Sequence, residues 1–303
     1  MPAATISALR AGDEVNGLFA CVRKDRRRTK TGSPYLALEL RDRTGRVPAR
    51  AFRDADVLSG RFEQGDVVRV MGRVERFRDE LVVEVSDVRR AEASEGPAGD
   101  SEAETVIAEA FLPAAYRDME ELDGFLEHLA REVFHPGYRA LLDGLLGDQE
   151  FRAAFRRAPC SRNGHHAYLG GLIEHTVAVA TLARELCDLH RRLDSDLLLT
   201  AAIVHDIGRV REFSYGAEIG LTPEGRLLGH LALGQQMLVD RFECVTGLLE
   251  QERRLELLHC VLCHHGATGV PGGRFASAEA LALFRLNALD AGVKGVLEHG
   301  VEG

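Results

Sequence analysis

The feature that most constrains this chain is a series of histidines and aspartates, each closing or interrupting an apolar stretch in the C-terminal half: His175, His205-Asp206, His230, His264-His265 and Asp290. Over residues 196–206 an apolar helical pattern runs directly into adjacent imidazole and carboxylate groups, and Gly208 follows as a stop signal. An ionised carboxylate at the buried end of such a helix is costly unless a cation pairs with it. His175 shares the apolar stripe of its own segment with Val179, Leu182 and Leu186. One histidine in that setting is most often a satisfied core residue. Several, each on a separate expected helix, point instead to one shared metal site.

The chain has 303 residues, 45% hydrophobic and 28% charged, which suits a folded protein with room for two domains. The first residues lack the basic-then-apolar pattern of a leader, and no run approaches the roughly 18–20 apolar residues that cross a bilayer, so a cytoplasmic protein without a membrane partner is expected. Six cysteines in this length do not make a disulfide scaffold, and small core residues are expected of them. The net charge of -9 is unevenly spread. Residues 1–90 hold 19 Lys and Arg against 14 Asp and Glu, which makes that part the expected contact for a polyanion. Its densest cluster is Arg23, Lys24, Arg26, Arg27, Arg28 and Lys30, for which a merely solvated basic loop is the competing reading.

Residues 15–90 read as five short strands, at 15–22, 35–41, 46–52, 66–74 and 81–88, separated by turn signals. Five strands in so short a span, with the basic cluster in the first connection, resemble an OB-fold of the nucleic-acid-binding kind. Tyr35 and Phe52 are the favoured base-stacking residues among Phe19, Tyr35, Phe52, Phe62 and Phe77. An Ala/Glu/Ser/Gly/Pro-rich stretch marks a linker at 91–110. From 111 to 303 the periodicity is helical, with helices expected at 119–134, 138–146, 150–157, 171–190, 196–205, 230–250, 252–264 and 278–297, and no strand pattern interrupts them. The expected fold is thus multidomain, a five-stranded OB barrel over 1–90 and an all-α domain over 111–303.

The pattern of His175, His205-Asp206 and a late aspartate resembles the HD-domain metal-dependent phosphohydrolases. The surrounding text, from His165-His166 through Gly170-Gly171 to His175, with Leu228-Gly229-His230 and His264-His265-Gly266, is similar to the YhaM-type 3'-to-5' exoribonucleases, which also place an OB-fold before the HD domain. The resemblance implies hydrolysis of phosphodiesters in single-stranded nucleic acid, RNA favoured over DNA. Mixed imidazole and carboxylate donors suit divalent ions, two of them, with manganese favoured and iron, magnesium or zinc as alternatives. Asp206 would bridge the ions. His175, His205 and Asp290 would complete one shell, and His230, His264 and His265 the other.

Two departures from the family pattern stand out. Relatives carry two aspartates in the last core helix, and aligning on Asp290-Ala291 puts Asn287 where the usual ligand stands. Arg209 replaces a common lysine; it keeps the charge, and its planar fork suits phosphate. His165 and His166 are candidates for substrate contact or for capping the loop before the next helix. Cys260-Val261-Leu262-Cys263-His264 matches a haem-attachment pattern, but without an export signal, and packing is the expected role of those cysteines. Two alternatives to an exonuclease remain: an HD phosphohydrolase acting on a nucleotide or cyclic nucleotide, its barrel serving a homo-oligomer, and a nucleic-acid-binding protein with a degenerate HD site.

Overall fold

The computed structural model describes residues 5–91, 111–216 and 218–300, so the expected linker lies, apart from Ala91, outside the described residues. The chain divides into two compact units, Met1–Pro113 with Ser214–Gly220, and Ala114–Phe213 with Leu221–Gly303.

In the N-terminal unit, β1 (Glu14–Arg28), β2 (Pro34–Asp42), β3 (Gly45–Ala51), β4 (Val67–Phe77) and β5 (Glu80–Arg90) form a closed barrel in the order β1-β2-β3-β5-β4. A short helix, α1 (Ala55–Ser59), bridges β3 and β4. Alternation sends Leu36, Leu38 and Leu40 of β2 and Val47, Ala49 and Ala51 of β3 into one interior cluster. Strand β1 serves two neighbours. Its first half pairs with β4 and its second with β2, with a register shift between Cys21 and Arg23 where it bends from one partner to the other.

That second half corrects the expected place of the basic cluster. Pairing with β2 continues to Arg28 opposite Pro34, so Arg23 to Arg28 are strand residues, and only Lys30 lies in the turn. Charged residues do not break a strand whose backbone is fully paired; they only lack the apolar alternation by which sequence reveals one. The pleat then divides the cluster between two faces.

The second unit is built from α2 (Met119–Arg131), α3 (Pro136–Leu146), α4 (Gln149–Arg157), α5 (Gly171–Leu189), α6 (Ser195–Val204), α7 (Arg209–Glu212), α8 (Pro223–Phe242), α9 (Gln251–Cys263) and α10 (Ala278–His299). Helix α6 is the centre of this unit: every residue from Leu197 to Val204 is buried, as expected of a helix apolar on all sides. Asp194 caps it by accepting the Leu197 amide at 3.0 Å. Each buried Leu or Ile there contributes about 1.5–3 kcal/mol.

Two expectations fail over this stretch of the chain. A hairpin, β6 (Phe213–Tyr215) and β7 (Ile219–Leu221), interrupts the helices; three residues per strand are too few for alternation to show. The helix expected at 230–250 begins earlier and ends earlier, capped by Thr222 with Pro223 in its first turn, and it is broken by Gly229 at φ 70°. His230 therefore opens the second segment of α8. The turn after Asp206 presses on that segment: a Cβ at Gly208 would stand 2.0 Å from His230 O and 2.5 Å from the Gly234 amide. Both obstacles are backbone and cannot rotate away. Gly208→Ala should cost about 2 kcal/mol or more, as overpacking does, read as a lower urea midpoint; an unchanged midpoint would contradict this packing.

Candidate metal centre

Five helices or their ends deliver the cluster. α5 carries His175, the end of α6 carries His205 and Asp206, the break in α8 presents His230, the end of α9 carries His264 and His265, and α10 carries Asn287 and Asp290. Their outer hydrogen bonds assign the ring protons. His205 Nδ1 donates to Ala202 O at 2.8 Å, His264 Nδ1 to Val261 O at 2.6 Å, His175 Nδ1 to Asp290 Oδ2 at 2.6 Å, and His230 Nδ1 to Glu212 Oε1 at 3.3 Å. In each ring the other nitrogen, Nε2, is then the free one.

These free nitrogens converge. His175 Nε2 lies 3.2 Å from His205 Nε2 and 3.0 Å from Asn287 Oδ1. His230 Nε2 lies 3.0 Å from His265 Nε2 and 3.4 Å from Asp206 Oδ1, and His264 Nε2 lies 3.3 Å from the same oxygen. Among the described residues, Asp206 Oδ1 and His264 Nε2 are buried without a hydrogen-bond partner. Where both facing atoms are acceptors, as for His175 Nε2 with His205 Nε2 and Asn287 Oδ1, and for His230 and His264 Nε2 with Asp206 Oδ1, they stay unsatisfied unless a cation stands among them. The donors fall into two sets that share Asp206: His175, His205 and Asp206, and Asp206, His230, His264 and His265, each with ligand atoms within 4.8 Å of one another. The donor set therefore fits divalent metal ions.

Asp206 is 1% exposed. Burial alone would raise its carboxyl, yet the Arg209 guanidinium beside it holds it well below the usual range. Arg209 Nε donates to Asp206 Oδ2 at 3.0 Å and its Nη1 to Glu212 Oε2 at 3.0 Å, so this buried guanidinium is engaged inside the protein. Glu212, which no sequence motif marks, links Arg209 to His230. Burial pushes the His205 imidazole far below its ordinary value, and pushes His265 down to about 3 and His165 down to about 4.

The late helix differs from expectation in detail. Asp290 meets Nδ1 of His175, and it also binds His166 Nε2 at 3.1 Å. Asn287 instead faces Nε2, its orientation set by Nδ2 donating to His264 O at 3.1 Å, which turns the amide oxygen toward the histidines. His166 is buried and hydrogen-bonded to Asp290 and the Tyr168 hydroxyl. His165 packs against His175 with ring centroids 5.3 Å apart. The Cys260 and Cys263 side chains lie in the helical core.

On the barrel, Tyr35 and Phe52 stack with centroids 5.3 Å apart, and Phe52 is 47% exposed. Phe19 and Phe62 are core residues. A groove is lined by Arg23, Asp25, Arg27, Tyr35, Arg46 and Arg50 among others. Within it Arg23 and Arg27 pair with Asp25 and Arg46 with Glu39, while the alternate β1 residues turn elsewhere: Lys24 to Phe62 O and Glu63, Arg26 to Asp56, and Arg28 to Gly32 O.

The chain thus holds an N-terminal five-stranded OB-fold barrel followed by a helical HD domain. The HD domain family model matches residues 172–292, and the model of the OB-fold nucleic acid binding domain matches residues 21–91. The chain is similar to proteins named 3'-5' exoribonuclease YhaM: 28% identical to that of Bacillus velezensis over 84% of this chain and 77% of the relative, and 29% identical to that of Bacillus subtilis over 78% and 71%. The Listeria monocytogenes protein of the same name is 26% identical over 96% of this chain and 90% of its own length. Among the described residues no helix is long and apolar enough to cross a membrane.

The neutral buried histidines set a pH response. His205 and His165 stay unprotonated in the fold, whereas unfolded histidine titrates near 6.5. Below that value the unfolded chain binds protons that the folded one does not, so stability of the metal-free protein falls as pH drops from about 6.5 toward 4. The fully buried His205 alone contributes a slope of up to roughly 1.4 kcal/mol per pH unit. Urea midpoints of chelator-treated protein at pH near 7.5, 6 and 5 should decline in that order; a flat series would contradict the assignment.

Proposed function

We propose that this chain is a metal-dependent 3'-to-5' exonuclease acting on single-stranded nucleic acid, RNA favoured over DNA. The observation that carries the reading is the inward convergence of the Nε2 atoms of His175, His205, His230 and His264 on the Asp206 carboxylate, the Nδ1 of each ring being engaged elsewhere. One ion would be held by His175, His205, Asp206 and the Asn287 amide oxygen, a second by Asp206, His230, His264 and His265. Manganese is favoured, because the donors mix imidazole with hard oxygens. Such ions, when bound, polarise phosphoryl oxygens and supply a nucleophile at neutral pH.

The chain's own groups do the positioning. Asp206 faces both donor sets, and Arg209 keeps it ionised. Glu212 and Asp290 hold the rings of His230 and His175 so that their ligand nitrogens point inward, the usual part of carboxylates behind metal-bound histidines. Arg209 is assigned to positioning, since its Nε and Nη1 donate to Asp206 and Glu212, the carboxylates that face the histidines. His166 belongs with Asp290 in the same role. On the barrel, the Tyr35–Phe52 pair offers a stacking surface, and Arg23, Arg27, Arg46 and Arg50 offer phosphate contacts, a combination that suits single strands without sequence preference. The names of the relatives support RNA as substrate and the 3' end as the starting point.

Supplied with manganese, the protein should shorten 5'-labelled RNA to a descending ladder, and Asp206→Ala should abolish the ladder. Intact strands beside hydrolysed mononucleotides would overturn the reading. Asn287→Asp adds a charged donor and should lower the manganese dissociation constant measured by calorimetry; a weaker constant would place Asn287 outside the shell. Phe52→Ala should weaken binding to a short single strand by about 1–3 kcal/mol, the worth of one stacked base, by fluorescence anisotropy.

A further inference from the structure

Cys160 precedes α5 and is fully buried, but polar groups surround its thiol. Its Sγ lies 3.5 Å from His165 Nε2 and 3.6 Å from Asp206 Oδ2. The backbone holds it in place, the Cys160 amide donating to His166 O at 3.1 Å. Cys160, His165 and His175 offer one sulfur and two nitrogens that all lie within 4.8 Å of one another. This third set differs in kind from the other two. Thiolate and imidazole select soft or borderline ions such as zinc and cadmium, whereas carboxylate and amide oxygens suit manganese and magnesium.

His175 belongs to this set, to the one with His205 and Asp206, and to a further one with His166 and Asp290. Its Nδ1 is held by Asp290, so a single nitrogen, Nε2, remains to give. We infer that Cys160, His165 and His175 form a separate site for a thiophilic divalent cation of the zinc class, and that filling it excludes a manganese-class ion from the His175–His205–Asp206 set. On binding, the Cys160 S–H bond breaks and a sulfur–metal bond forms, with the proton released to solvent; His165 gives a lone pair, and nothing is oxidised. The binding stands on geometry alone. Only its inhibitory consequence rests on the exonuclease reading.

Cobalt tests the binding. Metal-free full-length protein titrated with Co2+ should develop a thiolate-to-cobalt charge-transfer absorption that Cys160→Ser and His165→Ala lose. Cys263→Ser is the control, since the Cys263 thiol sits 3.6 Å from His259 and is a second thiol–imidazole pair among the described residues; this variant should keep the band. A band that survives Cys160→Ser, or no band in the unaltered protein, overturns the site. Should Cys160→Ser fail to fold, X-ray absorption at the zinc edge of Cys263→Ser loaded with one zinc decides: a sulfur neighbour supports the site and a shell of nitrogen and oxygen alone overturns it. The zinc concentration that halves manganese-supported digestion should rise in Cys160→Ser by on the order of tenfold or more, at least the loss seen when a partner behind a ligand is removed. An unchanged value overturns the exclusion and leaves the exonuclease reading standing, whereas absence of manganese-supported digestion without any zinc sinks that reading and leaves the cobalt result intact.

Discussion

A carboxylate withdrawn from water at the end of an apolar helix is the constraint on which the helical unit depends. Asp206 is carried there by α6, whose sides are all buried, so the group can neither swing outward nor be solvated in place. Arg209 neutralises part of its charge through one oxygen, while the other oxygen has no donor. That asymmetry organises the surroundings. One oxygen is bound to the protein and the other is left to the imidazoles around it. A buried charge of this kind is seldom a source of stability by itself, because desolvation offsets the attraction. Its retention in the middle of a core is better explained by what it holds than by what it stabilises.

The histidine rings are oriented by groups one step further out. Two of those groups are backbone carbonyls, of Ala202 and Val261, each three residues before the ring it serves, so the helix end itself sets the tautomer of His205 and His264. The other two are carboxylates, Asp290 and Glu212, which arrive from distant parts of the sequence. Rings governed by their own helix are fixed as soon as that helix forms. Rings governed by a remote carboxylate are fixed only when the whole unit is packed.

This distinction also explains how much of the molecule was legible from sequence. The barrel, the helices and the convergence of histidines all follow from periodicity and from polar residues ending apolar runs. The division of labour between Asn287 and Asp290 does not, since both lie on one helix face three residues apart and differ only in which nitrogen of His175 they meet. Glu212 and Cys160 carry no pattern at all: Glu212 acts through a ring 18 residues away in the chain, and Cys160 has the sequence context of an ordinary small core residue. The full length of β1 was hidden because charged residues in a paired strand show no apolar alternation. The start of α8 was displaced because Gly229 reads as a boundary, whereas Thr222 and Pro223 hold the true one.

Strand β1 has one further consequence. Its pleat sorts neighbouring basic residues into two populations, with Arg23 and Arg27 on the groove and Lys24 tied down beside Phe62 and Glu63. Adjacent residues of one strand therefore answer to different surroundings. Arg23 and Arg27 share Asp25 on the groove face, so an anion entering there competes with one carboxylate, while Lys24 stays with the barrel.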